Sequence, residues 1–267
     1  MSSAPTGKTV SKITVGKSKV TILFKGGESL SLSHDAYSDA PLYVGKKLSE
    51  KAFAALKKTA EIDAYYVKGL RYAASSPKTA HQIYEKLEHE GAEEADIKSI
   101  LGRIKKLGLI DDLAYAKNYA EDAGELKLYG EERIRFELAQ KGVAEAIIKS
   151  LSFPLSEEKK KADAYAKLID KKYARVPKRN KRSKMILALK ERGFDGEIAA
   201  WAVDKNLTHS SSTEKKELEK EFIKAKAHYQ RKYAGYDLRQ RILASLARKG
   251  FDMGDILRMM EENGYAD

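Results

Sequence analysis

The sequence predicts a mainly α-helical protein, in which tandem three-helix repeats form an elongated array behind a small, three-stranded β-rich head. Three observations support this fold class. Strand-like runs occur within the first 33 residues, apolar residues recur at three- and four-residue steps from about Glu61 onward, and a helical pattern that ends in glycine recurs four times. We expect the head at residues 1–60 and the repeats at 61–107, 108–153, 154–207 and 208–267.

The head is predicted from three short runs of β-branched and apolar residues. The breaks between the runs are Gly16-Lys17-Ser18 and Gly26-Gly27, and a Gly-Gly pair indicates a hairpin because both turn positions tolerate positive φ. A three-stranded sheet needs a cover for its apolar face, and a short helix over Ser49–Thr59 is expected nearby. The predicted strands are Thr9–Val15, Lys19–Phe24 and Ser29–Ser33.

The repeats are predicted from four glycines that are spaced 51, 51 and 57 residues apart. Each glycine suits the left-handed C′ position that ends a helix, and Asp195 and Asp252 suit the N-cap of the helix that follows. A further helix precedes each pair, marked by Ala-Tyr at 64–65, 114–115 and 164–165, and by Phe222 and Tyr229 in the last repeat. Around Gly91, Gly142, Gly193 and Gly250, the four positions at −8, −4, +1 and +6 are all apolar: Ile83, Leu87, Ala92, Ile97; Ile134, Leu138, Val143, Ile148; Met185, Leu189, Phe194, Ala199; and Ile242, Leu246, Phe251, Ile256.

The composition favours an anionic partner. The formal net charge is +12, divided into +6 for residues 1–60, −3 for 61–155 and +9 for 156–267, so we expect partner contacts at both ends. The absence of cysteine excludes disulfides, thiolate metal sites and cysteine nucleophiles. No stretch resembles a transmembrane helix or a secretory signal, and we expect a cytoplasmic, monomeric protein that does not bind membranes.

The sequence shows no catalytic machinery, and we expect a non-enzyme without cofactor or metal. Gly7-Lys8-Thr9 and Gly16-Lys17-Ser18 lack the earlier glycine of a phosphate-binding loop. Asp111 and Asp112 could pair as carboxylates, but their place before a helix favours capping. The histidines lack the spacing of a metal site; they are His34, His81, His89, His209 and His228.

Two basic stretches are predicted to bind nucleic acid. The segment 171–184 holds eight basic residues and no acidic one, with Tyr173 placed to stack on a base. The alternative interpretation of such a run is a solvated charged surface. The predicted contacts of this segment are Lys171, Lys172, Tyr173, Arg175, Lys178, Arg179, Lys181, Arg182 and Lys184, and those of the last repeat are Arg231, Lys232, Arg239, Arg241, Arg248 and Lys249.

The motifs GLIDDLAYAKNYA at 108–120 and YGEERIRFELAQKGV at 129–143 resemble the RecX family of regulatory proteins. KERGFDGEI at 190–198 and RKGFDMGDI at 248–256 fit the later repeats of that family, and the resemblance covers about residues 61–262. It implies a modulator of the RecA recombinase that lodges in the RecA–single-stranded DNA filament, generally inhibits its ATPase and strand exchange or limits its growth, and binds DNA directly. The positions that match are Gly108, Leu109, Asp111, Asp112, Tyr115, Ala116, Tyr119, Gly130, Arg133, Ile134, Glu137, Leu138, Lys141 and Gly142.

From the resemblance we expect a RecA filament as partner, with single-stranded DNA as the nucleic acid and double-stranded DNA as a second candidate. Glu121, Asp122 and Glu125 stand where the family often carries basic residues, so the acidic second repeat is expected to face protein. Two alternatives remain: a general DNA- or RNA-binding repeat protein without a recombinase partner, and an enzyme such as a nuclease. The expected RecA contacts are Asp111, Asp112, Tyr115, Tyr119, Arg133 and Arg135.

Overall fold

A computed structural model describes residues 7–208 and 210–265. The chain begins with an antiparallel sheet of order β3-β2-β1-β4, formed by β1 (Lys8–Val15), β2 (Val20–Phe24), β3 (Ser29–Leu32) and β4 (Lys47–Leu48). The three predicted strands are present. The two-residue β4, which pairs with the start of β1, is too short to leave a pattern in the sequence.

The hairpins and the cover of the sheet follow from local chemistry. Gly26 and Gly27 have φ of 102° and 87°, which confirms the predicted Gly-Gly turn. The inner side chains of β2 are buried and pack on helix α2 (Glu50–Ser75), where the Phe53 ring meets Phe24 edge to face at 4.9 Å. Ser33 is the N-cap of helix α1 (His34–Asp39), and its hydroxyl donates to the buried Asp63 carboxylate at 2.7 Å.

Helix α2 is a single helix of 26 residues, so the expected short helix over Ser49–Thr59 is wrong at its C-terminal end. The sequence between Thr59 and Ala64 contains neither glycine nor proline, and nothing stops the helix there. Phe53 and Ala60 belong to the hydrophobic cluster of the head, whereas Tyr66 and Ala73 belong to that of the first repeat. One helix therefore serves both.

The rest of the described chain is helical, which confirms the mainly α fold class. Ser76-Pro77 resembles a helix start, but Ser76 ends α2, and α3 begins after Thr79, whose hydroxyl and Gln82 form a capping box. The remaining helices are α3 (Ala80–His89), α4 (Glu94–Lys106), α5 (Asp112–Leu126), α6 (Glu131–Gln140), α7 (Glu145–Ser150), α8 (Leu155–Lys172), α9 (Lys178–Glu191), α10 (Gly196–Asn206), α11 (Ser211–Tyr229), α12 (Gly235–Arg248) and α13 (Met253–Glu262).

The repeat pattern is confirmed residue by residue. All sixteen apolar positions around the four glycines are buried, with at most 8% of their surface exposed. The four glycines have φ between 70° and 94°, in the left-handed region that favours glycine. At Gly193, the Phe194 N–H donates to the Leu189 carbonyl at 3.2 Å, so the corner residue satisfies an otherwise unpaired helix end.

The later glycine corners also contact the preceding repeat. The Gly130 N–H donates to the Arg192 carbonyl at 2.8 Å, and the Glu132 N–H donates to the Gly193 carbonyl at 3.1 Å. The start of α6 thus meets the end of α9 with almost no space between the two backbones. The Thr79 hydroxyl donates to the Lys141 carbonyl at 2.7 Å, and the Asn180 side-chain amide donates to the Lys249 carbonyl at 2.6 Å. These two hydrogen bonds likewise join a glycine corner to the preceding repeat.

The chain divides into two compact lobes. One consists of Met1–Lys117 and Ala139–Lys149, and the other of Asn118–Leu138 and Ser150–Asp267. The hydrophobic clusters of the head and of the first repeat lie in the first lobe, and those of the third and fourth repeats lie in the second. The division into five segments that the sequence suggests remains a prediction.

Candidate nucleic-acid interface

The basic segment 171–184 forms the end of α8, the connection to α9 and the first two turns of α9. Tyr173 is the C-cap residue immediately after α8, and Pro177 stands immediately before α9. The first turn of α9 contains no acidic residue. The Lys178 backbone N–H donates to Glu214 Oε1 of α11 at 3.3 Å, so a carboxylate from another helix satisfies part of this helix start.

Seven basic side chains of this segment are exposed. In the part of the chain that the structure describes, six of them form no ion pair with a carboxylate, and the seventh, Arg182, pairs with Asp204. Many other helical lysines are paired with an acidic residue one turn away, as Lys98 is with Glu94 at 2.7 Å. An unpaired cation keeps its charge available to a phosphate. The six are Lys171, Lys172, Arg175, Lys178, Arg179 and Lys184.

Lys181 is not part of this surface, which corrects the prediction for that residue. It is 3% exposed, its Nζ lies 2.5 Å from Asp170 Oδ1, and it donates to the Thr208 carbonyl at 3.0 Å. Burial opposes ionisation of Asp170, but hydrogen bonds from Lys181 and Thr208 outweigh it, so the pKa of the Asp170 carboxyl is lowered. Lys181 therefore links α8, α9 and the residues after α10.

Extending the repeat alignment by one turn would have identified Lys181. It lies twelve residues before Gly193, on the helix face of Met185 and Leu189, and this position is also buried in the other repeats. The other residues at −12 are Thr79, Gly130 and Leu238.

Two further predicted contacts of the segment, Arg182 and Tyr173, already form contacts within the protein. Arg182 binds Asp204 of α10 through Nε and Nη2, at 2.7 and 2.9 Å. Tyr173 is half-buried and packs against the hydrophobic cluster of the third repeat, with Lys172 Nζ 5.5 Å from the ring centroid. Base stacking by Tyr173 remains a prediction.

The basic residues of the last repeat divide in the same way. Arg231, Lys232, Arg241 and Arg248 are exposed, and the Arg241 guanidinium lies 3.9 Å from the centroid of the Tyr233 ring. Arg239 is half-buried and donates to the Tyr265 carbonyl at 3.1 Å. Lys249 is ion-paired with Glu221. Arg239 and Lys249 are thus committed to intramolecular contacts, which weakens their prediction as nucleic-acid contacts.

Asp111 and Asp112 both act as caps. Asp111 Oδ1 accepts the Ala114 N–H of α5 at 2.9 Å, which confirms the capping interpretation. Asp112 Oδ1 accepts the Ala80 N–H at the start of α3, also at 2.9 Å, and so caps a different helix from the one it begins. Tyr115 on the same helix is half-buried, and burial raises the pKa of its hydroxyl.

The other three expected RecA contacts carry internal partners. The Tyr119 hydroxyl donates to Glu137, and Glu137 accepts from Arg133 at 2.8 Å. Burial disfavours the Glu137 carboxylate, but these two hydrogen bonds lower its pKa overall. Arg135 pairs with Glu131 at 2.7 Å and lies 4.8 Å from the centroid of the Phe153 ring. Contact of these residues with RecA remains a prediction.

Sequence reasoning missed a cluster of cations around Tyr129. Lys127 Nζ lies 5.5 Å from the Tyr129 centroid, and the guanidinium carbons of Arg133 and Arg192 lie at 5.6 and 5.3 Å. The preceding Leu128 has φ of 51°, the left-handed region that non-glycine residues rarely adopt. No local sequence signal brings Arg192 here, because it arrives through the contact between repeats.

Within residues 7–208 and 210–265, no three His, Asp or Glu side chains lie close enough together to hold a metal ion. His209 falls outside these residues. None of the helices in the same residues combines the length and hydropathy needed to span a bilayer.

The fold and the exposed cations define a basic helical-repeat protein with a β-rich head. A family model described as the second three-helix domain of RecX matches residues 111–150. The chain is 26% identical over 260 residues to the regulatory protein RecX of Streptococcus uberis, covering 95% of this chain and 98% of that protein, and 25% identical to that of Limosilactobacillus reuteri, covering 96% and 98%. A crystal structure of a regulatory protein RecX superposes with a TM-score of 0.63 and 26% identity, covering 74% of this chain and 99% of that one. These matches confirm the resemblance to the RecX family.

Proposed function

We propose that the chain is a non-enzymatic regulator of RecA that binds the RecA–single-stranded DNA filament and inhibits its ATPase, strand exchange and growth. The similarity to proteins named regulatory protein RecX supports the recombinase as partner. The observation that carries the DNA contact is the group of six exposed, unpaired cations on α8 and α9.

The unpaired cations suit a phosphate backbone rather than a base sequence. Each phosphate contact releases a condensed counterion, and log K falls with log salt by roughly 0.7 per contact on a single strand. Six contacts predict a slope of about −4 from this surface alone. Arg231, Lys232, Arg241 and Arg248 of the last repeat would extend the contact along the strand.

The second repeat would contact the recombinase itself. Its exposed acidic residues Glu121, Asp122 and Glu125 repel phosphate, and Tyr119, Arg133 and Glu137 form one hydrogen-bonded group beside them. Division of charge between the repeats would let one chain hold both components of the filament. Inhibition would then follow because the bound chain occupies the groove that a second duplex must enter.

Hydrolysis of ATP by RecA on single-stranded DNA tests the proposal. We expect stoichiometric addition of the chain to reduce the rate, and the triple variant K178A/R179A/K184A to require more protein for the same inhibition. The matched control is K98A/K149A/K220A, which removes the same charge from exposed lysines that are each paired with a glutamate. An unchanged ATPase rate at stoichiometric loading would count against a RecA regulator.

A general DNA- or RNA-binding protein is the second candidate, since the same cations would serve it. Binding of the labelled chain to RecA in the absence of DNA separates the two. Retention by RecA alone favours the regulator, and binding that requires nucleic acid throughout favours the general binder.

A further inference from the structure

Trp201 is the sole tryptophan of the chain, and its indole is 37% exposed on α10. It lies eight residues after Gly193. The equivalent residues in the other repeats are Ser99, Ser150 and Arg258, all polar. The repeat architecture therefore does not require a large aromatic side chain at this position.

The core of the third repeat is complete without the indole. Ala199, Ala202 and Val203, on the other side of α10, are fully buried in the hydrophobic cluster of this repeat, together with Met185 and Leu189 of α9. The buried residues of α10 thus already pack into this core, whereas much of the Trp201 ring faces solvent. Packing alone leaves the choice of tryptophan unexplained.

Two ammonium groups lie over the exposed Trp201 ring. Lys159 Nζ of α8 lies 5.4 Å from the ring centroid, and Lys205 Nζ of α10 lies 5.0 Å from it. Asp163 holds Lys205 in place at 2.9 Å, and hydrogen bonds from Asn206, Lys167 and Lys205 lower the pKa of the Asp163 carboxyl. The indole thus contacts two ammonium groups, of which Lys205 is held by the Asp163 carboxylate.

The same helix is joined to the basic segment. Asp204, one turn after Trp201, binds the Arg182 guanidinium of α9 in a two-point contact. Arg182 lies within the run that holds the six unpaired cations, so the indole and those cations belong to the same repeat. A strand bound along the cations has a stacking surface within that repeat.

We propose that Trp201, Lys159 and Lys205 form a base-stacking site for single-stranded nucleic acid, in which a base takes the place of the Lys159 ammonium on the indole and that ammonium binds the neighbouring phosphate, while Lys205 stays paired with Asp163. Every base has a π face, so such a site tolerates any sequence. Duplex DNA is excluded as its ligand because paired bases are already stacked. A protein partner is disfavoured because both groups beside the ring are cationic. This site rests on the proposed DNA contact but not on RecA.

The fluorescence of Trp201 reports the site directly, since the chain has no other tryptophan. The full chain is titrated with a fluorescein-labelled oligothymidylate for anisotropy, and with the unlabelled oligonucleotide for tryptophan emission. We expect the emission to be quenched in parallel with binding, and the bound indole to be shielded from iodide. The same titration with a blunt-ended duplex of two fully paired strands should leave the emission unchanged.

Two variants separate stacking from folding. W201A should weaken binding to the labelled oligothymidylate by roughly 5- to 100-fold, the range for loss of one stacked base, whereas W201F should retain most of the affinity. K159Q should lower the salt slope by about 0.7, whereas K98Q, which removes one charge from a lysine paired with a glutamate, should not. Circular dichroism verifies the helix content of each variant.

The outcomes distinguish this site from the proposed function. Binding with unchanged emission and iodide access overturns the site and leaves the DNA contact intact. A change of emission with RecA but not with the oligonucleotide identifies a protein contact and also overturns the site. Failure to bind any oligonucleotide overturns both the site and the proposed DNA contact.

Discussion

The glycine corners offer a graded test of how the repeats are joined. Gly91 and Gly193 share the left-handed backbone, with φ of 94° and 84°, but differ in their surroundings. A Cβ at Gly91 would meet only the Tyr65 hydroxyl, at an ordinary 3.6 Å. A Cβ at Gly193 would lie 2.2 Å from the backbone nitrogen of Arg133, which cannot move aside without breaking the contact between two repeats.

The two alanine variants should therefore differ in stability. The left-handed conformation costs an alanine roughly 1–2 kcal/mol, and a less flexible unfolded chain returns about half a kcal/mol, so G91A should lose about 1 kcal/mol. G193A carries the same cost plus about 1–3 kcal/mol for overpacking, for a loss of roughly 3 kcal/mol. G102A is the control: Gly102 is exposed within α4 with open space around it, and alanine there should add roughly 0.5–1 kcal/mol.

Urea denaturation followed by circular dichroism measures these differences. We expect the transition midpoint to fall in the order G102A, wild type, G91A, G193A, with an unchanged dependence on urea concentration. In a thermal scan the gap between G91A and G193A should be roughly 4–8 °C. Equal losses for the two corner variants would refute the reasoning, because the left-handed backbone would then be the whole effect and the contact between repeats would contribute nothing.

Four further predictions concern charged side chains. D170N should lower the free energy of unfolding in urea by about 3–5 kcal/mol, because it leaves the buried Lys181 ammonium uncompensated. K181M should leave the DNA affinity unchanged in an anisotropy titration at a temperature where the variant is folded. A weakened affinity would show that Lys181 does contact DNA. The lowered pKa of Asp170 stabilises the fold above its usual value of 3.8 and ceases to do so as pH falls through the lowered value, so the gap in melting temperature between wild type and D170N should close with acidification below about pH 4; a gap constant down to pH 2 would contradict this. D195A should cost about 1 kcal/mol, since its carboxylate caps α10 at the Glu197 N–H, and D195N should recover most of the loss in the same melting assay.

The fold was largely predictable because the repeat leaves a regular trace. In each of the four repeats, the residues at −8, −4, +1 and +6 from the glycine face the core of that repeat, and all sixteen are buried. The strands of the head were predictable because the turns between them contain glycine. The run from Glu50 to Ser75 was divided wrongly because two apolar faces, one for the head and one for the first repeat, follow each other on the same helix without a stop signal.

The candidate interface was predictable as a region but not residue by residue. A run of eight basic residues shows that the surface is positive, yet which lysine turns inward depends on a partner from another helix. Lys181 forms an ion pair with Asp170, and Arg182 forms one with Asp204. The partners lie too far apart in the sequence for a local pattern to indicate the pairing. Trp201 escaped notice because a lone aromatic residue in a helix is ordinarily read as core. Its significance emerges only by comparison with the polar residues at the equivalent positions of the other repeats.

The uninterrupted α2 has a mechanical consequence. At 1.5 Å per residue, its 26 residues form a rod of about 39 Å that is clamped at one end by the sheet and at the other by the first three-helix bundle. Each residue inserted or deleted between Ala60 and Tyr66 would turn the sheet by about 100° about the rod axis. The length of α2 therefore sets the orientation of the sheet about the helix axis relative to the first repeat.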